Sequence, residues 1–229
     1  MPYVGQTITE VFPTSISVDS ATIKGDTTIG NASEADKKIL FDGNAVDYHI
    51  GLDDSADSLI IGKGSALGTT TSMAIDANGI ITKPLQPAFL ANGLASEMTD
   101  LSADGSDHNI VFNGERFDQN SDYNTSTGEF TAPVTGKYQF NFIIYTNHVD
   151  TGATYYQIKL TTSNFTYIQI LEPKFSSDVL YFTWDSPNLL VDMDASDTAK
   201  VQVRQVGGTS QLHVSNNANY TVFSGYLVC

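Results

Sequence analysis

Residues 114–145, GERFDQNSDYNTSTGEFTAPVTGKYQFNFIIY, decide the fold class. Tyr138, Phe140 and Phe142 recur at every second position, with Gln139, Asn141 and Ile143 between them. Large aromatics at period two are what a strand with one buried face requires. Upstream, Thr127-Gly128 and Pro133-Val134-Thr135-Gly136 bracket a short strand over 129–132. Gly128 and Gly136 accept positive φ cheaply, and Pro133 removes a ladder donor, so both ends read as turns. No segment sustains a 3.6-residue apolar period, which predicts an all-β chain.

Working outward, residues 39–83 repeat the strand pattern on a smaller scale. Strand-like pieces at 39–41, 48–52, 59–61, 73–75 and 80–82 are separated by Asp42-Gly43, Asp53-Asp54, Gly62-Lys63-Gly64 and Asn78-Gly79. Asp-Gly and Asn-Gly between apolar runs are strong turn signals. Strands this short enclose no ordinary core alone, but wound with two further copies they would. The expectation is a slender, intertwined trimeric β shaft over 39–86, ended by the stiff neck Lys83-Pro84-Leu85-Gln86-Pro87. Residues 1–38 are too polar to fold alone, apart from the apolar tag Tyr3, Val4, Ile8, Val11 and Phe12. Residues 87–229 hold the larger domain, with further strands expected at 88–91, 109–112, 138–146, 154–162, 166–171, 179–193, 199–206 and 220–228.

Eleven Lys and Arg face 26 Asp and Glu, a net charge of −15. That balance argues against a phosphate-backbone partner and against anionic lipid, both of which need clustered cations. No apolar run approaches the roughly 20 residues of a membrane-spanning helix, so no membrane insertion is expected. The opening MPYVGQTITEVF lacks the basic start and apolar core of a secretory leader. The single cysteine, Cys229, allows no intrachain disulfide, so stability must come from packing or assembly.

Several residues named so far also carry a family resemblance. Tyr123, Asn124, Gly128, Phe130, Pro133, Gly136, Tyr138, Phe140 and Phe142 resemble the central motif of the complement C1q globular head. Val222-Phe223-Ser224-Gly225-Tyr226-Leu227 resembles its last strand, and 190–203 its paired sixth and seventh strands, with Ser196-Asp197 where the family has Gly-Asp. The resemblance covers roughly 87–229. It implies a ten-stranded jelly-roll sandwich of the tumour necrosis factor type and three-fold association through aromatic faces. Phe130, Tyr138, Phe140, Phe142, Phe223 and Tyr226 are then the candidates for core and trimer interface. Shorter pieces (Phe41-Asp42-Gly43, Gly51-Leu52-Asp53-Asp54, Ile61-Gly62-Lys63-Gly64 and the opening MPYVG) resemble tail and fibre proteins of marine bacteriophages.

Catalytic and metal chemistry leaves little trace. Gly62-Lys63-Gly64-Ser65 is similar to a phosphate loop but lacks its upstream glycine and has Gly64 where Ser or Thr must follow the lysine. His49, His108, His148 and His213 are isolated, without the i, i+4 spacing of helix-borne zinc ligands. Asp53, Asp54 and Asp57, and Asp192, Asp194 and Asp197, form oxygen-rich stretches that suit calcium, which some C1q-like heads carry. Neither fits an EF-hand, and solvated turns are the plainer reading. No nucleophile elbow or carboxylate pair marks an enzyme, and no cofactor is expected.

Together these readings imply a non-enzymatic bacteriophage virion fibre on the particle surface. Residues 1–38 would anchor it to other virion proteins, and a homotrimeric shaft would carry the C1q-like head. The head would serve attachment to a host-surface glycan or protein, or decoration of the particle. A secreted or surface-bound bacterial C1q-like lectin or matrix protein is the alternative. Antiparallel connections alternate between the two ends of a sandwich. Counting back from the base that the C1q resemblance implies Pro87 and Cys229 share puts loops 147–153, 172–177 and 207–217 at the far end. Their candidate contacts are His148, Asp150, Thr151, Lys174, His213, Asn216 and Asn217.

Overall fold

The computed structural model describes residues 19–20, 22–186 and 188–229. The apolar tag Tyr3, Val4, Ile8, Val11 and Phe12 lies outside them. The five short strands of the first third are all present: β1 (Lys37–Phe41), β2 (Tyr48–Asp53), β3 (Ser58–Lys63), β4 (Thr71–Ile75) and β5 (Ile81–Thr82). They pair consecutively within one chain as an antiparallel meander. The last turn follows its sequence closely. Gly79 takes φ of 81°, and the Asp76 carboxylate accepts the backbone N–H groups of Asn78 and Ile80.

Residues 87–229 form two facing antiparallel sheets. Their strands are β6 (Ala88–Asn92), β7 (Met98–Leu101), β8 (His108–Asn109), β9 (Gly114–Asp118), β10 (Tyr123–Asn124), β11 (Glu129–Thr131), β12 (Gly136–Val149), β13 (Tyr155–Thr162), β14 (Thr166–Leu171), β15 (Val179–Asp185), β16 (Leu189–Met193), β17 (Thr198–Val206), β18 (Leu212–Val214) and β19 (Val222–Leu227). One sheet runs β10-β11-β17-β13-β14 with β8 beside β17. The other runs β7-β18-β12-β19-β6-β9 with β15 and β16 also against β12. No helix occurs among the described residues.

The aromatic alternation is realised in β12, where Tyr138, Phe140 and Phe142 all point into the sandwich and are at most 3% exposed. Phe89 of β6 stacks on Tyr123 (5.0 Å) and Phe130 (5.1 Å) and meets Phe223 edge-on at 5.1 Å. Each such ring contributes roughly 2–3 kcal/mol through burial alone. Two of the buried tyrosines also satisfy their hydroxyls here, Tyr123 donating to the Phe112 carbonyl and Tyr138 to that of Val134.

Three sequence expectations are corrected here. The 179–193 strand is two, β15 ending at Asp185 and β16 beginning at Leu189, with Asn188 between them at φ of 55°. In 109–112 only Asn109 is laddered, as the end of β8, while Ile110 and Phe112 are buried without forming a strand. The stretch 190–203 is not a paired hairpin. Its halves, β16 and β17, lie in opposite sheets, joined by a turn in which Ser196 adopts φ of 77°. Among the described residues the two sheets hold fourteen strands, six in one and eight in the other, where the resemblance implied ten.

Candidate functional site

β12 is long enough to set both ends of the sandwich. At its start the Lys137 N–H donates to the Cys229 carbonyl at 2.7 Å, the Leu227 N–H to Pro87, and the Gln86 side chain back to Leu227. Neck and C-terminus therefore share one base. β19 pairs with β12 only as far as Ile143. The rest of β12 continues between β15 and β18 and carries Asn147, His148 and Val149 toward the other end.

There the three expected loops are tied together, chiefly by two carboxylates. Asp150 is 7% exposed and accepts the backbone N–H groups of Gly152 (2.6 Å) and Thr209, joining the 150–153 turn to the 207–209 turn. Its own N–H donates to the Tyr156 hydroxyl at 2.8 Å, whose pKa burial pushes up to about 12. Asp178 accepts both the N–H and the hydroxyl of Thr151 at 2.9 Å, and the Gln211 amide at 3.0 Å. The Thr151 N–H is the main reason its pKa lies below the usual carboxylate value. Asp150, read from sequence as a surface contact, is instead an internal tie, since its oxygens are spent on the chain's own amides. Thr151 is held by the same scaffold.

Histidine chemistry converges beside this cross-tie. His148 takes φ of 56° and its ring lies edge-on to His213 at 4.6 Å. His213 Nε2 is 3.4 Å from the Asp100 carboxylate and Nδ1 is 3.9 Å from that of Glu97, which also accepts the Asn147 amide at 2.8 Å. Lys174 is exposed and paired with Glu172 at 2.5 Å. Asn216 and Asn217 are also exposed, near the end of β6, where the Leu94 N–H donates to the Asn216 carbonyl. Glu97, Asp100 and Asp178 were missed in the sequence. Glu97 and Asp100 reach their partners only through pairing of β7, β18 and β12, Asp178 only through that of β15 with β12, and Asp100 and His213 stand 113 residues apart.

Other sequence candidates resolve into local structure. The N–H groups of Lys63 and Gly64, which a phosphate loop would offer to its ligand, donate to Thr70 and Asp47 carbonyls. His49 is fully buried, its Nδ1 2.8 Å from the Gly64 carbonyl. Asp53 caps its own turn through Ser55 and Ala56, and Asp197 accepts from Asn164 and the Asp194 N–H. Among the described residues no group of three His, Cys, Asp or Glu is arranged to hold a metal ion.

Of the candidates for core and trimer interface, Phe130, Tyr138, Phe140, Phe142 and Phe223 are interior to one chain. They reach no second copy unless the core opens, so only Tyr226, 48% exposed, stays available as an interface residue. The exposed face of the eight-stranded sheet carries a different aromatic set. Tyr145 lies 5.8 Å from Tyr181 and 5.3 Å from Tyr220, with Ile143 and Leu190 also exposed. At one edge of the sandwich, between β14 and β16, an apolar cleft of about 380 Å³ is lined by Phe142, Ile158, Phe165, Ile168 and Leu189.

Solved structures resemble this chain at low identity. The globular domain of zebrafish complement 1qA is 22% identical with a TM-score of 0.40, covering 63% of this chain and 98% of that one. Murine APRIL at pH 8.0 is 9% identical (TM-score 0.46, 62% and 99%), and the Eiger TNF of S. frugiperda is 12% identical (0.42, 63% and 94%). No curated protein matches. The family model for the C1q domain matches residues 91–228, which span the sandwich from β6 to the end of β19. With the aromatic strand β12 at its centre and more than half of its length within that match, the chain belongs to the C1q domain family.

Proposed function

We propose that this protein is a homotrimeric, non-enzymatic bacteriophage virion fibre whose C1q head attaches to a host-surface glycan or protein, or decorates the particle. The observation that carries this reading is the end-to-end polarity of the head. The neck enters at one end, and three cross-tied polar loops stand at the other. Loops held on a rigid sheet are where binding residues concentrate, and here His148, Lys174, Asn216 and Asn217 are exposed. Trimer formation is supported by the apolar surface that one copy leaves open, the Tyr145–Tyr181–Tyr220 face and the Phe165–Ile168 edge. Two different patches on one subunit suit a heterologous, ring-closing contact. Three heads on one axis would then multiply weak single-site contacts. Residues 1–38 are assigned to virion attachment on the strength of their apolar tag.

The combined variant His148→Ala, Lys174→Ala, Asn216→Ala tests the assignment. Purified wild-type fibre should compete with phage adsorption to host cells, and the variant should lose at least roughly tenfold in competing concentration, about 1.4 kcal/mol. Its melting temperature should be unchanged. Undiminished competition by the variant would remove the far end as the adhesive surface.

A further inference from the structure

The sheet β1–β5 buries the wrong face. Along β2 the buried positions are His49, Gly51 and Asp53, while Tyr48, Ile50 and Leu52 are exposed. Register carries this across the sheet: Ile39 stands opposite Ile50, Ile50 opposite Ile61, and Ile61 opposite Met73. Beside that row, Leu52 faces Leu59 and Leu59 faces Ile75. Ile39 is 46% exposed, Ile50 37%, Leu52 47% and Leu59 44%, whereas His49 opposite is fully buried. The other face, with His49, Gly51 and Gly62 beside a single buried isoleucine, Ile60, is closed by the chain's own segment 64–70. The Lys63 N–H donates to Thr70, His49 approaches the Gly64 carbonyl, and Leu67 lies where a side chain on Gly51 would be. A half-buried sheet ordinarily does the reverse and turns its apolar rows inward.

We infer that the row Ile39–Ile50–Ile61–Met73 is the interface at which the corresponding sheets of the other copies pack in the shaft. This rests on the homotrimer reading and adds which face each copy offers. Area and charge select the occupant. Five strands about 4.8 Å apart and about five residues long present on the order of 350 Å². Two such faces bury roughly 700 Å², below the ~1,000 Å² expected of a self-standing complex. A freely diffusing protein is poorly served by so small a patch. A second copy held by the same neck and head is well served, because tethering supplies a millimolar effective concentration. The strands also present no carboxylate on this face. Lys37 and Lys63 lie outside its central row, and the charge of −15 that would hold copies apart is carried elsewhere.

Cross-linking on the full chain tests this. In a Cys229→Ser background, Ile50→Cys probes the apolar face and Leu40→Cys, 40% exposed and opposite the buried His49, probes the other. With a short bifunctional maleimide, Ile50→Cys should run mainly as a covalent dimer on denaturing gels and Leu40→Cys as monomer. Equal cross-linking from both positions overturns the face assignment. So does no cross-linking from Ile50→Cys while light scattering still reads three times 24.7 kDa, an outcome that leaves the homotrimer standing. A 24.7 kDa mass for the unmodified chain sinks both.

Discussion

Gly225, in the middle of β19, faces the core where a methyl group would lie 2.6 Å from the Phe140 ring and 2.9 Å from Phe89. Neither ring has room to retreat, since each packs on Phe223 and on the other. Gly225→Ala should therefore cost about 1–3 kcal/mol by overpacking, read as a lowered melting temperature with the strand content unchanged. Asp178 gives a second residue-scale expectation, in pH. Its folded pKa lies below the ordinary value of 3.8, first through the Thr151 N–H and then through Gln211. Its contribution is in place above the unfolded pKa and disappears as pH falls through the lower folded one. Amide exchange at Thr151 should thus accelerate relative to the core as the pH falls below about 4. Asp178→Asn should show the fast exchange already at neutral pH.

At the scale of elements, the six-stranded sheet is tied to the segment before it by one cluster of charges. Lys159 of β13, almost wholly buried, donates to Asp107 at 2.6 Å, and Arg204 of β17 grips the same carboxylate through two nitrogens at 2.7 and 2.8 Å. Burial would raise the Asp107 pKa, but the hydrogen bonds from Arg204 and Lys159 outweigh it and hold it low. Removing the negative charge leaves a buried ammonium without its counter-ion, so Asp107→Asn should destabilise by about 3 kcal/mol in a denaturant titration. Adding Lys159→Met should recover much of that loss, because the cost lies in the unpaired charge more than in the missing pair. An equal loss in the double variant would mean that the cost lies in the missing tie and not in the unpaired charge.

For the whole molecule, the proposed function would divide labour along the chain: 1–38 for attachment, the β1–β5 sheet as spacer, the C1q domain as contact surface. Deleting residues 1–13 should leave the head's melting temperature and the oligomer mass unchanged while abolishing incorporation into particles. Normal incorporation of the truncated fibre, scored by immunoblot of purified virions, would reassign the anchor. The base of the head gives the deletion a clean readout. Gln119 and Asn120 donate to neck carbonyls between Lys83 and Gln86, fixing head to neck independently of the N-terminus.

The sequence by itself determined what depends on neighbours along the chain. Period-two aromatics placed β12, and Asp-Gly and Asn-Gly turns placed the breaks of the first sheet. Those features rest on backbone φ preference and side-chain alternation, which act over a few residues. Which side of each strand is buried, and by what, was decided only in the folded chain. Phe130, Tyr138 and Phe140 look alike as core or as interface until the second sheet closes over them. Asp150 looks like any loop acid until Thr209 arrives from another turn. The β1–β5 sheet shows its apolar rows to solvent because segment 64–70 takes the other face, and Gly51 and Gly62 let it lie flush there. Burial and hydrogen-bond partnership are sums over contacts distant in sequence, so no local pattern fixes them.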